Sequence, residues 1–245
     1  MKGSGFKLMD KGPLFENYAR IELTQSLNRS EILKDAAIHP TNVVFRHDDV
    51  EEEIDIVVRI GKKILIGEAK CFLFPAEPIE IARYFEALED AAMQAQRKAD
   101  FVRSNLPKFV DQLGIVTWTP ADLSIEPFVM VNQPFGAGFI QRDVPIVDEL
   151  ILKRFFEGKW YRLGIYSEGI LEAQSTYRIY RNEEEAASTV SAYLKNPPQL
   201  RHYRQNVKPN IQWYPALDET DRPFATVYFE VVLPLPSVDL QFDKK

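Results

Sequence analysis

The chain has few of the residues that hold small exported proteins together. Its single cysteine, Cys71, in 245 residues excludes an internal disulfide framework. Three scattered histidines, His39, His47 and His202, form no Cys/His zinc pattern of recognisable spacing. No run approaches the roughly 18 apolar residues of a membrane span, and residues 1–10 lack the apolar centre of a secretory leader. The expectation is a protein of the reducing cytoplasm with no membrane partner. Positive charge is not in surplus either, since 36 acidic against 30 basic residues leave a net charge of −6. That argues against a chain coated in nucleic acid, which needs clustered Lys and Arg, yet it leaves room for a local basic groove.

What is present suits a real core, with 45% hydrophobic and 27% charged residues and no compositional sign of disorder. Residues 1–12, with Gly3, Gly5 and Gly12, read as a flexible lead-in. Pro13 suits a first helical turn, and Phe15, Tyr18, Ala19, Leu23 and Leu27 recur at helical spacing, predicting an amphipathic helix over 14–27. Two short β-branched runs, 54–60 and 64–66, flank Gly61-Lys62, which predicts a hairpin with a type II′ loop. Beyond Pro75 and Pro78 a long helix carries Ile81, Tyr84, Phe85, Leu88, Ala92, Ala95, Ala99 and Val102 on one stripe. Runs at 114–118 and 128–131 are short enough for buried strands, and Asp148 caps a helix that Gly158 ends. The order helix, hairpin, helix, strand, strand, helix gives an α/β core over residues 13–157. Residues 158–245 form a smaller C-terminal α+β extension of unassigned role. It holds a helix started by Asn182 and ended by Pro197-Pro198, and a strand at 225–233 pairing with 211–214 across the polar turn 218–222.

The hairpin has a geometric consequence. With Gly61-Lys62 as the loop, Ile60 faces Lys63, paired residue numbers sum to 123, and Asp55 lies opposite Glu68. Directly opposed side chains on one face have Cβ atoms only about 4.5–5.5 Å apart, and like charges there are destabilising. A divalent cation is the natural compensation, because Mg²⁺ takes hard oxygen ligands and is commonly held by one or two carboxylates. Lys70 shares that face, about 6.6 Å further along the strand. An ammonium there can orient an attacking water and neutralise charge gathering on a phosphoryl group.

The stretch from Glu53-Ile54-Asp55 to Glu68-Ala69-Lys70 resembles the signature of the PD-(D/E)xK, or restriction-endonuclease-like, nucleases, and looks most like their Mrr-like and nuclease-related-domain branch. Ile54 stands where the proline that names the motif would be. The resemblance covers residues 13–157. It implies a mixed sheet flanked by helices, Mg²⁺ or Mn²⁺ held by Asp55 and Glu68, water positioned by Lys70, and phosphodiester hydrolysis in DNA in preference to RNA. It further implies a helix glutamate at the site, assigned to Glu16 with Glu22 as the alternative, and a nearby glutamine, Gln94 or Gln96. A homodimer is compatible with it. The different-class alternative is a catalytically silent fold that binds nucleic acid or protein.

Other residues admit blander readings. Arg97, Lys98 and Arg103 could contact phosphates, or be solvated positions opposite the buried stripe. Arg178 and Arg181, interleaved with Tyr177 and Tyr180, have the makeup of a nucleic-acid surface, as does the 201–204 segment, or of an ordinary exposed face. Asp48, Asp49, Glu51, Glu52 and Glu53 read as a solvated entry to the strand, with Glu53 facing Lys70. His39 and His47 read as surface loop residues, and Cys71 as a small core residue.

Overall fold

The computed structural model describes residues 11–115, 117, 119–165, 171–201, 207–214 and 224–231. The elements run α1 (Lys11–Asn28), β1 (Ala37–Ile38), β2 (Val43–His47), β3 (Val50–Ile54), β4 (Ile56–Ile60), β5 (Lys63–Lys70), α2 (Pro78–Ser104) and α3 (Leu106–Gln112). They continue with β6 (Ser124–Val131), β7 (Ile140–Gln141), β8 (Val144–Asp148), α4 (Glu149–Glu157), β9 (Lys159–Ile165), β10 (Leu171–Arg178), α5 (Glu183–Lys195), β11 (Val207–Tyr214) and β12 (Phe224–Val231).

A six-stranded sheet has the order β1-β4-β5-β6-β8-β7. The pair β4–β5 is antiparallel, from Ile60↔Lys63 to Ile56↔Gly67, so every pair sums to 123 as the loop predicts. Gly61 adopts φ +51°, the left-handed backbone that the first position of a Gly-x loop requires. Strands β6 and β8 add in parallel to β5, and the two-residue strands β1 and β7 close the edges in antiparallel fashion. This is the α/β class with a mixed sheet flanked by helices.

Helix α2 returns the chain from β5 to its parallel neighbour β6. Its Ala91, Ala92 and Ala95, with Tyr84 and Leu88, pack on Val129, Val131, Val144 and Ile146. Further along, Ala99 and Val102 meet Val57, Ile64 and Ile66 together with Phe109 and Val110 of α3. Small side chains on that face let the helix lie close to the sheet. Glu77 and Glu80 form a capping box at its start. Helix α4 begins where Asp148 Oδ1 accepts from Ile151 N at 2.8 Å and ends at Gly158, φ +70°. Asn182 caps α5 in the same way, through Glu185 N at 2.8 Å.

The structure departs from the sequence reading in several places: α1 begins at Lys11, inside the expected lead-in 1–12, and β8 of the main sheet and the β9–β10 pair were not expected. Gly114 and Ile115 are not strand. They follow α3, whose Phe109 and Val110 are buried and draw the segment into a helix, with Ile115 N donating to Val110 O; Val116 and Trp118 lie outside the described residues. A second hairpin, β2–β3, was not foreseen: Val43 and Phe45 are buried while Val44 and Arg46 are exposed, and the chain turns at Asp48, φ +51°. Its acidic strand hides the alternation, although Glu51 and Glu53 are solvated as expected. Finally, the compact unit runs through Pro197 instead of ending near Gly158. Residues after Gly158 are tied to it, since the Tyr193 hydroxyl of α5 donates to Ile151 O at 3.0 Å and that of Tyr180 to Phe155 O.

A second unit spans residues 198–245. In it β11 and β12 pair antiparallel, from Tyr214↔Phe224 to Val207↔Val231, as the alternation predicts; the 218–222 turn and residues 232–233 lie outside the described residues. Among the described residues no helix is long and apolar enough to cross a membrane.

Gly67 separates the hairpin from Phe128. A Cβ there would collide with the Phe128 ring edge and stand 3.0 Å from Ile56 Cβ. Gly67→Ala is therefore expected to destabilise the fold by about 1–3 kcal/mol through overpacking. Chemical denaturation checks this, and a midpoint unchanged from wild type would contradict the packing described.

Candidate functional site

Strand alternation decides which side chains meet. Val57 of β4 and Ile64 and Ile66 of β5 share the face covered by α2. Glu68 and Lys70 follow Ile66 in two-residue steps and so belong to that face; Asp55, at the bend before β4, is brought to them by the Lys98 Nζ that it shares with Glu68. Asp55 occupies the bend where the chain leaves the β2–β3 hairpin for the central sheet. Both sides of it are held. Arg20 of α1, buried, donates through Nη1 to the Asp55 carbonyl at 2.8 Å, and Ala69 N donates to Asp55 Oδ2 at 2.8 Å.

The charge between the carboxylates is balanced by a residue that the helical pattern left on the surface. Lys98 is 7% exposed, against 8% for Asp55 and 4% for Glu68. Its Nζ lies 3.3 Å from Asp55 Oδ1 and is hydrogen-bonded to Glu68 Oε2. The other Glu68 oxygen, Oε1, is 2.7 Å from Lys70 Nζ, which also donates to Gln94 Oε1 at 2.8 Å. Helix and strand thus meet in two rungs, Gln94 on Lys70 and Lys98 on Glu68. Four helical residues rise about 6.0 Å and two strand residues about 6.6 Å, so an antiparallel helix keeps both rungs in step.

The electrostatics follow from burial. Loss of solvent raises the Asp55 pKa to about 6; Glu68 pushes it the same way, and Lys98 and the Ala69 N–H oppose both. Burial works against the charged form of Lys98, but Asp55 and Glu68 outweigh it and hold the ammonium above its ordinary range. Glu16, half-buried on α1, is raised by burial, with Arg20 opposing and Glu53 and Glu68 adding to the rise.

The structure therefore brings together Asp55, Glu68, Lys70 and Gln94, with Glu16 in the same field. Glu22 is elsewhere, bonded to Lys153 of α4 at 2.6 Å, and Gln96 turns to Asp100 at 2.9 Å. Of the expected phosphate contacts, Lys98 is buried in the site, Arg97 pairs with Glu52 at 2.8 Å, and Arg103 is spent on Asp100 and on the Ile125 carbonyl. Arg178 and Arg181 are exposed, but Tyr180 is buried at 1% and cannot offer a stacking face; residues 202–204 lie outside the described residues. Glu53 pairs with Val44 and accepts from Asn42, and does not face Lys70. His47 sits by Lys108 and Asp48, His39 bonds Thr41 O, and Cys71 is half-exposed just past β5 instead of in the core.

Lys98 was expected at a phosphate or in solvent and Arg20 was not singled out, yet both carried a signal of burial. Tyr84, Leu88, Ala91, Ala95 and Val102 are buried at steps of four, three, four and seven; Lys98 fills the missing step. Arg20 likewise falls within the buried stripe of Phe15, Ala19, Leu23 and Leu27.

Among the described residues no group of three or more His, Cys, Asp and Glu is placed to hold a metal ion. The available donor set is the carboxylate pair. Because Asp55 Oδ1 and Glu68 Oε2 both reach one Nζ, a single small cation at that point could touch both, and two carboxylates suit Mg²⁺ or Mn²⁺ with water and phosphate as the other ligands. A concavity of about 870 Å³ lies instead at the loop end of β4–β5, beside Arg59, Lys63 and Glu183. Its Lys63 is paired with Glu126 at 3.0 Å and its Glu183 accepts from Gly61 N at 2.9 Å, so it is a gap between satisfied groups. No family model, curated protein or solved structure matches the chain.

The Asp55 shift has a stability consequence with a definite sign. A carboxyl whose folded pKa lies above its unfolded value binds its proton more tightly when folded, so its contribution to stability falls as pH rises from 3.8 to about 6. Over that window the loss is on the order of 3 kcal/mol at about 1.4 kcal/mol per pH unit. Asp55→Asn is expected to flatten this dependence in metal-free protein, with the contributions of Glu16 and Asp148, both raised by burial, left in place. Thermal unfolding across pH measures it, and an unaltered slope in the variant would refute the assignment.

Proposed function

We propose that the chain is a metal-dependent nuclease of the restriction-endonuclease-like kind, hydrolysing phosphodiester bonds in DNA in preference to RNA. The observation that carries this reading is the shared cation position of Asp55 and Glu68 with the Lys70 ammonium against the same glutamate. A bound Mg²⁺ or Mn²⁺ supplies Lewis acidity and a water of lowered pKa. Asp55 and Glu68 are the residues that hold it. Lys70 keeps about a third of its side chain in solvent, at 31% exposure, and so can meet an incoming phosphate. Its Nζ, fixed by Glu68 Oε1 and Gln94 Oε1, has one remaining donor for the attacking water or for the oxygen on which negative charge gathers. Gln94 is a positioning residue, and Glu16 adds negative charge that favours a second ion or a proton at the rim.

One observation favours the catalytically silent reading. Lys98 and Lys70 together already balance the two carboxylates, so the site is electrostatically closed without a metal.

The discriminating experiment incubates purified protein with supercoiled, linear and single-stranded DNA and with RNA, in Mg²⁺, Mn²⁺ or EDTA. Cleavage that needs the metal is expected, faster on DNA. Lys70→Ala should lower the rate by roughly 10²–10³-fold, as loss of one preorganised charge-stabilising donor does, and Gln94→Ala by less. Nucleic-acid binding with no cleavage under any metal would replace the enzyme by the silent module.

A further inference from the structure

We propose that the Lys98 ammonium is the resident counter-ion of the Asp55–Glu68 pair, and that a divalent cation fills the site only by displacing it. Lys98 then sets the metal concentration at which the site loads. This role presupposes the metal-dependent reading above and adds a threshold to it.

The contacts single out Lys98. Its Nζ touches Asp55 Oδ1 and Glu68 Oε2, one oxygen from each carboxylate, whereas Lys70 touches Glu68 and Gln94. The remaining Asp55 oxygen is engaged by Ala69 N and the remaining Glu68 oxygen by Lys70. The two oxygens that face each other are therefore the ones Lys98 occupies. A dication held by Asp55 and Glu68 would need the two oxygens that the ammonium now occupies. Two cations so close in a site of low dielectric repel strongly, so one excludes the other. The displaced head needs a second acidic partner, and Glu16 is the acidic side chain of α1 that feels its charge. Glu16 of α1 lies within the electrostatic reach of Lys98, Glu68 and Glu53, and the lysine stem has rotatable bonds enough to swing the ammonium to it.

The experiment titrates the 245-residue chain with Mn²⁺ by calorimetry and follows Tm with and without Mn²⁺. It compares wild type with Lys98→Gln, which removes the charge, and Lys98→Arg, which keeps it. Lys98→Gln is expected to bind Mn²⁺ about tenfold more tightly or better, a gain of about 1.4 kcal/mol. Its metal-free Tm should fall below that of wild type and recover when Mn²⁺ is added. Lys98→Arg should bind no more tightly than wild type. Equal or weaker Mn²⁺ binding in Lys98→Gln overturns the counter-ion role and leaves the nuclease reading standing. Absence of Mn²⁺ binding in wild type and both variants removes the nuclease reading and this role with it. Should Lys98→Gln fail to fold, the wild-type chain still decides. The ¹³Cε resonance of Lys98, assigned by its loss in Lys98→Arg, must move with Mg²⁺ at the midpoint of metal binding, and a resonance unmoved at saturation overturns the role.

Discussion

The ammonium of Lys98 stands between the carboxylates of Asp55 and Glu68, and the three are buried together on the face of the sheet that α2 covers. Two like charges on adjoining strands are unfavourable, and in a site withdrawn from water they are more so. One shared cation turns that repulsion into attraction. The helix must deliver it, which ties the packing of α2 on β5 to the electrostatics of the strand ends. Its alanine-lined face brings the helix close enough for Gln94 and Lys98 to reach the two strand residues they serve.

The rest of the centre is held by backbone. Asp55 sits at the one residue between β3, which belongs to the outer hairpin, and β4, which belongs to the main sheet. A carboxylate at such a junction has no ladder partner of its own to fix it. Arg20 and Ala69 supply the missing restraint, one on the carbonyl and one on the side chain. Arg20 leaves its buried Nε without a partner among the described groups.

Much of this was legible from residue spacing. Gly61-Lys62 sets the hairpin and the hairpin sets the sum of 123, which holds to Ile56↔Gly67; Asp55, one residue beyond the last pair, still shares Lys98 with Glu68. The caps at Asp148 and Asn182 and the break at Gly158 were equally local signals, each a side chain or glycine satisfying its own helix end. What spacing could not give was the identity of the compensating charge. Lys98 reads as a phosphate contact or as a solvated position opposite the stripe, because the carboxylates that draw it inward lie on the sheet and not on its own helix. The β2–β3 hairpin was hidden for a related reason: three consecutive glutamates mask the alternation that Val43 and Phe45 display on the other strand. Tyr180 was misjudged because a tyrosine flanked by arginines looks amphipathic in sequence, whereas its hydroxyl is satisfied by carbonyls at the end of α4.

The two rungs between α2 and β5 act as a gauge with a fixed pitch. The segment joining strand to helix can change length without disturbing them, because what counts is how the helix seats on the sheet. Between Gln94 and Lys98 there is no such freedom. One added residue would carry the lysine about 100° around the helix axis, so that its head would leave the carboxylates and emerge at the flank. The five residues from Gln94 to Lys98 are therefore the part of α2 least able to tolerate insertion or deletion, even where its individual side chains can be exchanged.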